Sequence, residues 1–221
     1  MNMDFWSPIQ LSIQVSLLST LLAGCLGTWV GKEMQRRSFR GKSVLETVLL
    51  LPLVLPPTVV GFILIVCFGR QSPVGRGIEA FFGHPLMFTW WAAVIASAVV
   101  TFPLMYQSAK AGFASTDRRV EEAARVDGAS EWKVFWNVTF PQSSPALAGG
   151  IVLCFTRALG EFGATLMFAG NIPGRTQTVS TAIYMAFDSG NMRLAWNWVL
   201  VIVLLSFLLL SGSGWMNRQR N

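Results

Sequence analysis

Apolar residues in this chain fall in long blocks separated by short polar stretches. Five blocks stand out, at residues 9–31, 44–68, 88–110, 144–169 and 194–215. Each is near the roughly 20 residues that a helix needs to cross a bilayer. At about 1.5 Å of rise per residue, each spans the hydrocarbon with some tilt. The pattern predicts an all-α integral membrane protein with about five transmembrane helices, residues 1–221 forming one transmembrane domain. Residues 176–190 fit less easily. They are moderately apolar but short, and polar at Thr176, Gln177, Thr178, Ser180 and Thr181. A sixth crossing there would carry the C-terminal tail to the opposite side; we read a short helix tucked at or into the outer face.

Composition agrees with a lipid setting. Mean hydropathy is +0.50 and charged residues are 13%, against roughly 25% in a soluble domain. No stretch outside the blocks is long enough for a soluble catalytic domain. The net charge of +6 reads as topology signal on cytoplasmic loops. It does not read as a nucleic-acid surface, because no basic stripe with interleaved aromatics lies outside the blocks. The loop after block one carries Lys32, Arg36, Arg37, Arg40 and Lys42, and the loop after block three Lys110, Arg118, Arg119, Arg125 and Lys133; the tail adds Arg218 and Arg220. The other side has Arg70, Arg76, Arg175 and Arg193. Twelve against four places the tail and the third loop in the cytoplasm and the N-terminus outside. Trp6, Trp29, Trp90, Trp91, Trp196, Trp198 and Trp215 sit near block ends, where an indole bridges lipid and water.

Cys25, Cys67 and Cys154 all lie in apolar blocks without metal-like spacing, so they read as free, buried thiols. The stretch LAGC, ending at Cys25, imitates a lipoprotein cleavage site. The residues before it hold only Asp4 as a charge, and the apolar run continues to Val30, so it does not read as a signal peptide. His84, the one histidine, has no partner suggesting a metal site. No catalytic residue, metal site or cofactor site is expected.

Within the blocks, several residues break the apolar rule. Ser12, Ser16 and Ser19 share a face in block one, and Gly27 and Gly31 form a GxxxG; both features suit close packing on another helix. Block two holds Pro52, Pro56 and Pro57. Each removes a backbone donor and obstructs the preceding turn. A break at depth is tolerated where protein or a water-filled cavity satisfies the freed carbonyls. The prolines therefore mark either a packing kink or a bent helix lining a pathway. Block four reads TRALGEFGAT, residues 156–165, and places Arg157 and Glu161 well inside an apolar run. Four apart, they can pair on one helical face. They mark either a structural ion pair or a pathway. Gly160 and Gly163 beside them permit close approach of another helix, and Thr165 completes the motif.

Residues 117–133 are the chain's charged island, holding nine of its 28 Asp, Glu, Lys and Arg side chains. Gly128 divides two short helices, and Pro141 is expected to end the second. Val120, Ala123, Ala124, Val126, Trp132, Val134 and Phe135 are too apolar to be fully solvated together. A compact knob of mixed charge suits docking to a soluble protein better than binding lipid, which favours uniform positive charge. An ordinary solvated loop is the other reading.

The stretch EAARVDGASEWKVFWNVTFP, residues 122–141, resembles the EAA loop of ATP-binding-cassette importer permeases: Glu-Ala-Ala, three residues, Gly, nine residues, Ile-x-Leu-Pro. Glu122, Ala123, Ala124, Gly128 and Pro141 fit the spacing, while Val138 and Phe140 replace Ile and Leu. LPLVLPPTVVGFIL (residues 51–64), RALGEFGAT (157–165) and NIPGRTQT (171–178) resemble the molybdate branch of that family. The resemblance implies a multi-pass permease of a bacterial or archaeal plasma (inner) membrane. It implies a homodimer with two cytoplasmic ATP-binding subunits and an external oxyanion-binding protein, in addition to membrane lipid. It also implies that the two-helix coupling loop, at about residues 115–141, docks in a cleft on the ATPase. The chain has no G-x-x-x-x-G-K-[ST] phosphate loop, so hydrolysis is expected of the partner. Tungstate or sulfate is the alternative cargo. A secondary transporter is the rival outside the family, but it would show matched repeats, and none is visible.

Overall fold

The computed structural model describes residues 5–218, with side chains to Ser211. Asp4, Arg220 and the side chains of Trp215 and Arg218 lie outside the described residues. Among these residues the structure is helical: α1 (Trp6–Arg36), α2 (Lys42–Val54), α3 (Pro57–Phe68), α4 (Pro73–Phe82), α5 (Trp90–Ala114), α6 (Arg118–Val126), α7 (Glu131–Val134), a π-helical segment (Phe135–Thr139), α8 (Phe140–Leu159), α9 (Gly163–Ala169), α10 (Val179–Asp188) and α11 (Met192–Arg218).

The centre of the bundle is α5, which packs along α1, α8, α9 and α2. Its buried face is rich in small residues, among them Ala92, Ala93, Ala96, Ser97 and Ala109, with Met105, Tyr106 and Phe113 towards its C-terminal end. Lipid offers no hydrophobic drive between helices, so close approach and van der Waals contact must hold them together. The α1–α5 contact shows this. A Cβ placed on Gly27 would lie 2.9 Å from the Met105 Cβ, and one on Gly31 would lie 2.8 Å from the Ala109 Cβ. Ser12, Ser16 and Ser19 face inward as expected and are buried.

Among the described residues four helices are long and apolar enough to cross a membrane: α1, α5, the continuous run Glu131–Leu159, and Met192–Ser211 of α11. The second predicted span is a bent pair, with the chain turning by 115° between α2 and α3. The prolines account for the place of the break. A residue before proline is pushed out of the α region; Leu55 has ψ 144° and Pro56 has ψ 136°. Pro57 then occupies the first turn of α3, where its missing N–H costs nothing.

Block four is broken as well. Helix α8 stops at Leu159, Gly160–Phe162 are non-helical, and α9 adds only seven residues. Residues 176–190 hold no helix long enough to cross a membrane. The ten-residue α10 extends about 15 Å, and it is built into the bundle rather than laid on its face. Thr176, Gln177, Thr178 and Thr181 are buried, and the Val179 amide donates to Ser12 Oγ at 2.8 Å.

Three other expectations need correction. Pro141 does not end the second island helix. The helix continues through the π segment into α8, where Pro141 lies in the first turn. The wider i→i+5 turn, closed by the Phe140 amide on the Phe135 carbonyl, gives room for a ring that would obstruct an ordinary turn. Trp198 is not an interfacial indole. It is fully buried, and its Nε1–H donates to the Phe5 carbonyl at 3.0 Å. Of the free cysteines only Cys154 is buried; Cys25 and Cys67 lie on outward helix faces and are exposed.

The α1–α5 seam gives a direct stability prediction. Gly31→Leu should destabilise the detergent-solubilised chain by about 1–3 kcal/mol in thermal or denaturant unfolding, the usual cost of overpacking. Gly24→Leu should be near neutral, because nothing lies within 4 Å of its would-be Cβ.

Candidate functional site

The island folds as a knob whose joint is a complete helix C-cap. Gly128 adopts φ +84°, the left-handed region that glycine enters without strain. The Gly128 amide donates to the Arg125 carbonyl and the Ala129 amide to the Ala124 carbonyl, each at 3.0 Å. This pair of bonds is the Schellman arrangement. At the start of α6, Asp117 caps the helix by accepting from the Arg119 amide at 2.9 Å. Ser130 caps α7.

Polar contacts tie the knob to the bundle. Glu121 accepts from the Thr139 hydroxyl. The Asp117 amide donates to Gln142 Oε1 at 2.9 Å. Arg125 joins both short helices, reaching Glu131 at 2.6 Å and Glu121 at 3.5 Å. The Glu131 hydrogen bond raises the Arg125 pKa above its ordinary value. The Lys32 ammonium lies 3.5 Å from the centre of the Phe135 ring.

The outer face of the knob is left uncovered. Glu122, Ala123 and Gly128 are exposed. So are Val120, Val126 at 87% and Trp132 at 71%. Within this single chain the knob thus buries Val134 but leaves three large apolar side chains in the open among charges. Exposed apolar side chains grouped in this way are a feature of interaction surfaces.

The second constellation is where the two broken segments cross. A Cβ on Gly163 would lie 3.0 Å from the Pro57 Cβ, and one on Gly61 would lie 3.0 Å from the Ala164 Cα. The two breaks therefore pack backbone to backbone. Beside them Glu161 is 2% exposed. One carboxylate oxygen accepts from Arg157 Nη1 at 2.7 Å, and the other accepts from the Ala164 amide at 2.9 Å. Glu161 is thus more than a counterion on a helical face: it sits in the break and satisfies a donor that the break has freed. Thr165 is buried, with no hydrogen-bond partner for its hydroxyl among the described residues. Pro52 lies inside α2, near Ala98 and Val99 of α5 at a small apolar recess. Gly160 is exposed, with nothing nearer than its own helix's carbonyls at 4.0 Å, so Gly163 and not Gly160 supplies the close approach.

The structure adds groups that the sequence pattern did not single out. Lys110 pairs with Glu46 at 2.6 Å, joining α5 to α2 near the knob end. Arg36 approaches Glu131 at 3.8 Å. Both contacts join residues far apart in sequence, so no spacing rule reveals them. Glu121 lies within the island and Thr139 and Gln142 just beyond it, and none is among the residues that fix the quoted pattern. A helical register from Asp117 puts Glu121 one turn on, facing back to the bundle, and that signal was available.

Glu161 variants should separate pairing from capping. Glu161→Ala removes both bonds and leaves Arg157 unpaired, and should cost about 3 kcal/mol in the unfolding of the solubilised chain. Glu161→Gln keeps an acceptor for the Ala164 amide and should cost clearly less. The double change Arg157→Ala with Glu161→Ala should be milder than Arg157→Ala alone, which strands a buried carboxylate. Equal losses for Glu161→Ala and Glu161→Gln would show that the cap carries no weight.

Comparison with known proteins places this arrangement. The chain is 61% identical over 207 residues to YvgM of Bacillus subtilis (strain 168), a protein provisionally assigned by name to a molybdenum transport system; the match covers 94% of this chain and 91% of that one. It is 39% identical over 218 residues to the molybdenum transport system permease protein ModB of Escherichia coli (strain K12), covering 96% and 93%. Similarity to a chain named for sulfate transport in Chlorokybus atmophyticus falls to 32%, covering 95% and 76%. The backbone superposes on a chain of the inward-facing MetNI methionine ABC transporter with a TM-score of 0.74, at 14% identity, covering 97% and 94%. That likeness establishes the fold alone. Residues 23–219 match the family described as the binding-protein-dependent transport system inner membrane component, and the chain belongs to that family.

Proposed function

We propose that this chain is the membrane-spanning permease subunit of an ATP-driven importer whose cargo is molybdate. The observation that carries the cargo is the 61% and 39% identity to two proteins named for molybdenum transport, along nearly the whole chain. Tungstate shares the charge and nearly the size of molybdate. Sulfate is the weaker alternative, since its named relative is more distant.

In this reading two copies of the chain form a homodimer, two cytoplasmic ATP-binding subunits dock on the knobs, and an external binding protein delivers the oxyanion. The whole chain acts as one permease domain. The uncovered face of Glu122, Ala123, Val126 and Trp132 is the part of the knob free to enter a cleft. Gly128 sets the angle between its two helices, and Pro141 lies where the knob passes into α8.

The continuity of the Glu131–Leu159 helix supplies a mechanical link. Its 29 residues extend about 44 Å, from the knob to the residue pair at the break. A displacement of the knob on ATP binding is carried along this rod to Arg157 and Glu161. There the rod ends at the contact between the two breaks. Closure of the ATPase biases that contact between two arrangements, which shifts the permease between inward- and outward-facing states. Pro52, Pro56, Pro57, Gly163 and Thr165 belong to the pathway wall or to the packing that positions it. The arginine gives the region a partner for an oxyanion, and Glu161 keeps that attraction weak. Conduction needs binding weak enough to release, which leaves selectivity mainly to the binding protein.

The reading is tested on the complex reconstituted with its ATPase and binding protein. Radioactive molybdate should accumulate in the direction of import only with ATP, and tenfold excess sulfate should leave uptake largely unchanged. Glu122→Lys and Gly128→Val should insert normally yet lose the ATPase on co-purification, or lose uptake by tenfold or more; Gly128→Val adds the strain of a β-branched residue at φ +84°. ATP-independent uptake, or an intact ATPase complex and full uptake in both variants, would contradict the reading.

A further inference from the structure

A large apolar wedge opens between α1, α8 and α11, on a side of the bundle that neither the knob's docking face nor the two breaks use. Its volume is about 840 Å³, and Leu21, Cys25, Ile151, Phe155 and Leu209 are among its walls. Along α1 it runs from Leu17 to Lys32. That is about 22 Å of helix, longer than one leaflet of a hydrocarbon core about 30 Å thick. The wedge exists because α11 packs on α10 and part of α8 while leaving its outer half, including Leu204, Phe207 and Leu208, exposed.

The wedge is not apolar at its mouth. Lys32 closes its knob end and also lines an adjoining polar recess with Arg36, Arg118 and Glu121. The one carboxylate in that recess is already engaged, by the Thr139 hydroxyl and by Arg125. Glu131 approaches Arg36 from outside at 3.8 Å, a loose contact between exposed groups. Three cations therefore face a recess whose acid is occupied. Lys32 lines the apolar wall and holds its ammonium over Phe135, as a long cationic side chain does where an apolar surface meets a polar one.

We propose that this wedge is a phospholipid site, with an acyl chain between α1, α8 and α11 and an anionic headgroup at Lys32 and Arg36. Charge decides between lipid and a second copy of the chain. A second copy meeting this face symmetrically would bring its own cations against these, whereas an anionic headgroup brings the missing charge. Phe135 and Thr139 belong to the π segment that joins the knob to α8. A lipid held here therefore touches the base of the knob. It would steady the angle at which the knob leaves the membrane, so that the anionic lipid content of the bilayer modulates coupling.

Native mass spectrometry of the purified full chain provides the test, with dioleoylphosphatidylglycerol, dioleoylphosphatidylcholine and inorganic phosphate as probes. The phosphatidylglycerol should be retained over phosphatidylcholine by about fivefold or more, in line with the attraction of a cation near a membrane surface. Inorganic phosphate should neither bind measurably nor compete. Lys32→Ala with Arg36→Ala should bring the two lipids to parity. Ile151→Trp and Leu21→Trp, filling the wedge from two different helices, should each lower retention of both lipids with the cations intact; having two guards against a folding failure of one. Equal retention of the two lipids by the unaltered chain would overturn the headgroup assignment. Unchanged phosphatidylglycerol retention in the folded tryptophan variants would overturn the wedge as its seat. A disulfide between two copies through Ile151→Cys would assign the wedge to a protein contact instead.

Discussion

A helix broken inside a membrane must find partners for the backbone groups that the break sets free. This chain carries two such breaks, at residues 55–56 and 160–162, and it answers the constraint by packing one against the other. Gly61 and Gly163 remove the side chains that would hold the segments apart, and Ala164 and Pro57 fill the space. Glu161 then satisfies an amide of the second break with a carboxylate that is itself neutralised by Arg157. Remove any one of these and another loses its reason: a buried glutamate without Arg157 is an unpaired charge, and a break without Glu161 is an unpaired amide.

The rest of the bundle follows from keeping that contact in place. Helix α5 supports it with small residues that let α1, α8 and α9 approach closely. The N-terminal end of α10 is held by α1 through Ser12 and meets the end of α8 where the Ser180 hydroxyl donates to the Leu159 carbonyl. At the other end α8 continues through a π turn into the knob. A π turn carries the helix past proline, and Thr139 in it and Gln142 just beyond it receive the knob's polar contacts. The result joins the uncovered face of the knob and the contact between the two breaks by one continuous helical element.

Much of this was legible in the sequence, and each illegible part has a physical cause. The membrane class came from block length, the pair Arg157–Glu161 from its spacing, and the knob's glycine joint from one residue whose φ had to be positive. The three prolines announced the first break. Block length could not announce the second, because apolar residues resume at Phe162 and the charges at Arg157 and Glu161 read as an i,i+4 pair on one continuous helix; the bond from the Ala164 amide to Glu161 shows instead a carboxylate capping a new helix. Trp198 looked interfacial because its partner, the Phe5 carbonyl, is nearly two hundred residues away in the chain. Lys110–Glu46 escaped for the same reason. Pro141 misled because a rule for isolated α-helices ignores a π turn one step upstream. Burial of Cys25 and Cys67 was misjudged because in a membrane protein an apolar position faces lipid as readily as it faces the core.

The central claim is that the two breaks form one contact that must change during transport. The direct measurement locks it. Pro57→Cys with Gly163→Cys, in a chain lacking the three native cysteines, brings together two Cβ positions 3.0 Å apart, which must relax by about half an ångström to reach the roughly 3.5–4.5 Å that a disulfide requires; the reduced double variant, assayed alongside, measures what the added side chain at Gly163 costs by itself. The oxidised transporter should keep its ATPase subunits but fall to background in ATP-driven molybdate uptake, and reduction should restore it. Uptake at the full rate with the disulfide closed would contradict the account.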